Sequence, residues 1–162
     1  MSQQPSSPRS SRTSRLVTAA YAFVALEFLV GAVTKFWSGV GPLGSDYAVK
    51  FADWGYPSWF RFVVGTIELV CAVCLVSSSR RFRFVGAAGL VLVLDGAVTT
   101  HIVNHDPLGE AMAAPIHLIV AFVIVLANWP ADWKDLLAPV RPRRRTATPP
   151  AQLAAQLPAR AA

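Results

Sequence analysis

Residues 16–36 read LVTAAYAFVALEFLVGAVTKF. Twenty-one residues with two ionisable side chains, Glu27 and Lys35, are long enough to cross a bilayer as a helix. The glutamate stands in the middle of the run. A carboxylate at that depth costs roughly 2.5 kcal/mol or more on insertion scales, so it needs a reason to be there. Two later segments repeat the arrangement. Glu68 lies inside the apolar run from Phe60 to Ser79, and Asp95 inside the run from Phe84 to Val103. A fourth apolar run, Met112 to Trp129, carries His117.

These runs predict an all-α integral membrane protein, a four-helix bundle with up-down-up-down topology. Hydrophobic residues make up 54% of the 162-residue chain, above the roughly 45–50% of soluble domains, and they are blocked together. The charges set the orientation. Arg9, Arg12 and Arg15 precede the first run, and Arg80, Arg81 and Arg83 fill the second connection. Arg141, Arg143, Arg144 and Arg145 follow the last run, while the other two loops hold only Lys35, Lys50 and Arg61. The positive-inside rule then puts both termini in the cytoplasm. It also explains the net charge of +6 without nucleic acid as a partner. The first run is too long for a signal-peptide core and no A-x-A-like site closes it, so it is read as a retained span.

Around this 16–130 domain, residues 1–15 read as a disordered basic tail, and 131–162 as an interfacial stretch followed by a disordered Pro/Arg/Ala-rich tail. In the first loop, Tyr47, Phe51 and Trp54 fall at i, i+4, i+7. That spacing predicts a short amphipathic helix at the membrane interface, stopped by Gly55 and Pro57. Ala, Arg, Pro and Val are abundant, as in proteins of GC-rich bacterial genomes, and with the spans the expected location is the bacterial inner (cell) membrane.

At about 1.5 Å per residue, Glu27 and Asp95 lie about 16 Å and Glu68 about 12 Å from their points of entry. The three acids share a layer near the midplane. Glu27, Gly31 and Lys35 form one helical stripe, Arg61, Gly65 and Glu68 a second, and Asp95 with Thr99 a third. The expected site is an intramembrane polar cavity lined by Glu27, Lys35, Arg61, Glu68, Asp95, Thr99 and His117. Carboxyls in such a cavity suit proton-coupled redox or acid–base chemistry. The plain alternative is that these groups only hydrogen-bond helix to helix. No metal centre is expected, since His101, His105, Asp106 and Glu110 lack a ligand-spacing signature. Cys71 and Cys74 form a C-x-x-C buried in an apolar run, which reads as small apolar packing ahead of a redox pair.

Several short motifs recur in an order that resembles the DoxX-like family. They are G-A-x-x-K-F (Gly31, Ala32, Lys35, Phe36), W-G-Y-P (Trp54 to Pro57) and V-G-x-x-E-L (Val64, Gly65, Glu68, Leu69). D-G-A-x-x-T-H (Asp95 to His101) and A-P-x-H-L (Ala114 to Leu118) follow. The resemblance covers about residues 16–130. It implies a four-span membrane subunit linked to oxidoreductases acting on thiosulfate and quinone, or to redox-stress complexes. The expected function is a membrane component of such a system, binding a quinone-like or lipidic molecule between helices. The alternatives are a small-molecule transporter or permease and a non-catalytic assembly protein. The expected partners are the lipid bilayer, that ligand, a soluble oxidoreductase and further copies of the chain. The motifs name no cofactor and no catalytic residue.

Overall fold

The computed structural model describes residues 8–37, 39 and 46–137, and all regular structure within them is helical. Helix α1 spans Pro8–Phe36, α2 Tyr47–Asp53, α3 Phe60–Val76 and α4 Arg80–Val103. Helices α5 (Leu108–Ala111), α6 (Ala113–Ala127) and α7 (Lys134–Leu137) complete the order. Among the described residues, three stretches are long and apolar enough to cross a membrane: Arg15–Phe36, Arg80–Val103 and Leu108–Ala127. Helix α3 is more apolar than α1 and α4 but only 17 residues long.

The boundaries differ from the sequence reading at two places. Helix α1 begins at Pro8, so the basic segment expected as a tail is drawn into the helix from that residue on. Proline is well placed there, because a first-turn residue has no intrahelical partner for an N–H. The rest of that tail, and the Pro/Arg/Ala-rich segment after Leu137, lie outside the described residues. A short helix, α5, forms at Leu108–Ala111 in the segment read as a polar loop, and it is separated at Met112 from α6, which takes up the last apolar run. Pro115 has no amide proton to give Ala111, so the ladder cannot run through unbroken.

The short amphipathic helix forms where the aromatic spacing puts it. The Asp46 carboxylate caps α2, accepting from the amides of Ala48 (2.9 Å) and Val49 (3.3 Å). Gly55, at φ +77°, turns the chain out of it. The aromatic face turns inward: Phe51 is buried among Trp54, Tyr56 and Phe60.

Helix α1 packs on α3, α3 on α4, and α4 on α6. Side chains link α6 back to α1, with Asn128 donating to the Tyr21 hydroxyl at 2.9 Å. One half of the assembly is solid. Phe28 of α1, Leu75 of α3, Leu90 and Leu94 of α4 and Ile124 of α6 belong to one buried core, with Leu75 and Leu90 wholly enclosed. Glycines bring the helices close. A Cβ on Gly65 would stand 3.2 Å from the Ala32 carbonyl oxygen, and one on Gly86 would stand 2.8 Å from that of Cys71. Outward, Leu26, Leu29, Val70, Val73, Ile119, Phe122 and Val123 are exposed. An apolar surface of this extent fits hydrocarbon better than water.

Candidate functional site

The other half is hollow. The second half of α1, the first half of α3, the second half of α4 and the start of α6 surround a cavity of about 1000 Å³. Its wall is mostly apolar, with Phe28, Phe51, Phe60, Val63 and Ile67 among the lining residues. Two ionisable pairs, one from α1 to α3 and one from α1 to α6, interrupt that wall, and a third, from α2 to α5, stands at its end.

The deeper pair is Lys35 and Glu68. Gly31 leaves room beside Lys35, whose Nζ reaches the Glu68 carboxylate at 2.7 Å. Both side chains are more than nine-tenths buried. The ammonium also donates to the Gly31 carbonyl at 3.3 Å and lies 4.6 Å from the centre of the Tyr47 ring. The pair therefore enters the apolar interior neutralised and hydrogen-bonded, the condition under which buried charge is tolerated.

The second pair is Glu27 and His117. His117 Nδ1 lies 2.7 Å from the Ala113 carbonyl oxygen, one turn back on α6. A carbonyl only accepts, so Nδ1 carries a proton. The other ring nitrogen, Nε2, faces Glu27 Oε2 at 3.3 Å. That contact is attractive only when a further proton sits on one of the two atoms. A proton placed on either atom would be shared between Nε2 and the Glu27 carboxylate at the cavity wall. Phe28 packs edge-on against the imidazole at 5.6 Å and fixes its plane.

Helix α2 and the segment after it close the cavity at one end. Trp54 Nε1 donates to Asp106 Oδ2 at 3.0 Å, and His101 Nδ1 meets the same oxygen at 2.7 Å. The Thr100 hydroxyl donates to the Gly96 carbonyl at 2.8 Å, so at 2.8 Å it accepts from the Tyr56 hydroxyl. Lys50 of α2 pairs with Glu110 of α5. Trp54, Tyr56, Thr100 and His101 all line the cavity, and the sequence reading assigned none of them to it. The motifs W-G-Y-P and T-H contain these four residues, but their pairing across the chain leaves no local pattern.

Of the seven expected site residues, Glu27, Lys35, Glu68 and His117 meet around the cavity. Three do not. The Asp95 carboxyl is exposed on the outer side of α4, and the Thr99 hydroxyl beside it donates to the Asp95 backbone carbonyl at 2.9 Å. The reason is angular. Asp95 sits about 100° around the helix from buried Leu94 and about 140° from buried Leu90. Arg61 is buried away from the cavity and caps the end of α1. Its guanidinium donates at 2.7 Å to the carbonyls of both Lys35 and Trp37, which have no helical partner.

The cysteines are packing residues at the α3–α4 crossing. Cys71 is buried, and a Cβ on Gly89 would come within 2.6 Å of its Sγ. Among the described residues, no three His, Cys, Asp or Glu side chains gather into a group able to hold a metal ion.

A family model described as the DoxX-like family matches residues 19–125, the stretch that builds the cavity. Comparisons with curated proteins and with solved structures find no match. The matched span covers most of the chain and coincides with its apolar helices, and the chain is therefore a membrane protein belonging to the DoxX-like family.

Proposed function

We propose that the protein is a membrane component of a redox or stress-response system, and that its cavity binds a quinone-like or lipidic molecule. The observation that carries this reading is the pairing of an apolar chamber of about 1000 Å³ with two ionisable pairs in its wall. Small-molecule sites combine an apolar lining with a few fixed polar groups in this way. The ligand is then an amphiphile whose apolar ring or chain lies among Phe28, Phe51, Phe60 and Ile67. Its oxygen-bearing head meets the polar groups.

The two pairs have different parts in this reading. Lys35 and Glu68 satisfy each other and form a fixed dipole against which a carbonyl or hydroxyl head is oriented. Glu27 and His117 share a transferable proton. A quinone carbonyl gains a proton when reduced and a quinol hydroxyl loses one when oxidised, and this pair stands where it can supply or accept it. The electrons come from a soluble oxidoreductase docked at the membrane.

The membrane arrangement belongs to the same proposal. Helix α3 is taken as a fourth span, at the short end of the bilayer-crossing range. The arginines of the α3–α4 connection then lie in the cytoplasm together with both termini, in a bacterial inner membrane.

Native mass spectrometry of the protein purified in mild detergent tests the proposal. The wild type is expected to retain a quinone or lipid, or to take up added decylubiquinone. Glu27→Gln and His117→Ala are expected to lose at least about tenfold in affinity while keeping their helical content. An empty wild-type chamber that takes up neither decylubiquinone nor phospholipid defeats the reading.

A further inference from the structure

The outer face of α4 carries a polar group that the fold of one chain leaves uncovered. Nothing among the described residues hydrogen-bonds the Asp95 carboxyl. Counted from Phe84, it lies about 16 Å along α4, with about 12 Å remaining to Val103. This is the middle of an apolar span. A carboxyl facing hydrocarbon there is costly, and such residues are found turned toward another helix or a polar cavity. Asp95 does not line the cavity.

The surroundings of Asp95 say what kind of helix covers it. Asp95, Thr99 and Ile102 are all exposed, none of them lines the cavity, and they recur at spacings of four and three. That spacing fits the seam of a left-handed helix pair. The chemistry of the seam is self-complementary. The Thr99 hydroxyl has already given its proton to the Asp95 backbone carbonyl, so its oxygen is left as an acceptor. A protonated Asp95 supplies a donor, and its second oxygen an acceptor. One α4 face therefore bears both halves of the bond that a second α4 face needs, and a two-fold axis forms that bond twice. The outward faces of α1, α3 and α6 offer Leu, Val, Ile and Phe, which lipid covers at no cost.

We infer that two copies of this chain associate in the membrane through α4, with Asp95 and Thr99 hydrogen-bonded across the two-fold axis. The inference uses the spanning of α4 and is independent of what the cavity binds. A single buried polar position on such a seam also fixes register, so Asp95 aligns the copies as well as joining them.

Single-molecule subunit counting of the full-length protein in lipid nanodiscs tests this. The wild type and Asp95→Asn are expected to be dimers, and Asp95→Leu is expected to weaken the dimer by about tenfold or more. The Asp95 carboxyl makes no hydrogen bond or ion pair among the described residues, so the leucine variant keeps its fold and its cavity ligand. As a second measurement, Ile102→Cys in a Cys71→Ala/Cys74→Ala background is expected to cross-link to its own copy under mild oxidant. Ile119→Cys on α6 is expected not to. A monomeric wild type, an unaltered dimer in Asp95→Leu, or cross-linking at position 119 in place of 102 overturns the inference.

Discussion

Lys35 and Glu68 illustrate how a single residue is judged by its partner. Alone in an apolar interior either charge is expensive; together, at 2.7 Å and more than nine-tenths buried, they stabilise each other. Removing one partner is therefore expected to cost far more than removing both. Lys35→Met and Glu68→Leu should each lower unfolding stability by about 3 kcal/mol or more, and the double variant should recover most of that. Denaturation in detergent micelles, followed by circular dichroism, measures it; additive losses in the double variant would show that the pair is not coupled. The positions of Lys35 and Glu68 were legible in the sequence because each shares a stripe with a glycine, Gly31 or Gly65, that brings helices together. Asp95 was legible as a member of a stripe with Thr99 and misleading in its direction. Periodicity tells which residues share a face and is silent on what the face meets. The Trp54–Asp106 bond joins residues 52 positions apart and was illegible for a different reason, since neither residue's neighbours carry a trace of the other.

At the scale of helices, α3 and α4 cross closely where Gly86 and Gly89 meet the turn holding Cys71 and Cys74. The two glycines are obstructed by different atoms. A Cβ on Gly89 meets only the Cys71 sulfur, at 2.6 Å, whereas one on Gly86 meets the Cys74 Cβ at 2.7 Å and the Cys71 backbone oxygen at 2.8 Å. Both Gly89→Ala and Gly86→Ala are expected to destabilise the protein by about 1–3 kcal/mol through overpacking. Cys71→Ala should rescue the first and leave the second impaired. Thermal unfolding of the four variants reads this directly, and rescue of both would mean that backbone contact does not set the crossing distance. The helices themselves were readable because their apolar residues come in long blocks, and α2 because its aromatics recur at helical spacing ahead of Gly55 and Pro57. Helix α5 was missed because it is four residues long and lies in the polar NHDPLGE segment, which carries no apolar periodicity.

The whole molecule divides into a packed half and a hollow half, and hydropathy alone gives no hint of that division. It arises from size and polarity along each helix. Leu75, Leu90 and Ile124 fill one end, while glycine, alanine and the ionisable pairs leave the other open. The proposed orientation rests on the charge pattern. Reporter fusions are expected to place the N-terminus, residue 78 and the C-terminus on the cytoplasmic side, and the α2 segment and residue 106 on the other. A cytoplasmic signal from residue 106 would remove α3 or α4 from the list of spans.

The unequal lengths of α3 and α4 bear on the surrounding lipid. At 17 residues α3 is about 26 Å long, and at 24 residues α4 is about 36 Å, against a hydrocarbon layer of about 30 Å. With α4 as a span in the proposed orientation, its surplus falls on the first turn, which sets Arg80, Arg81 and Arg83 at headgroup level. With α3 as a span, the bilayer is thinned on one flank of the protein and propped at full height on the other. The molecule is then a wedge in membrane thickness, at ease where the bilayer is already thin or where a second copy shares the strain.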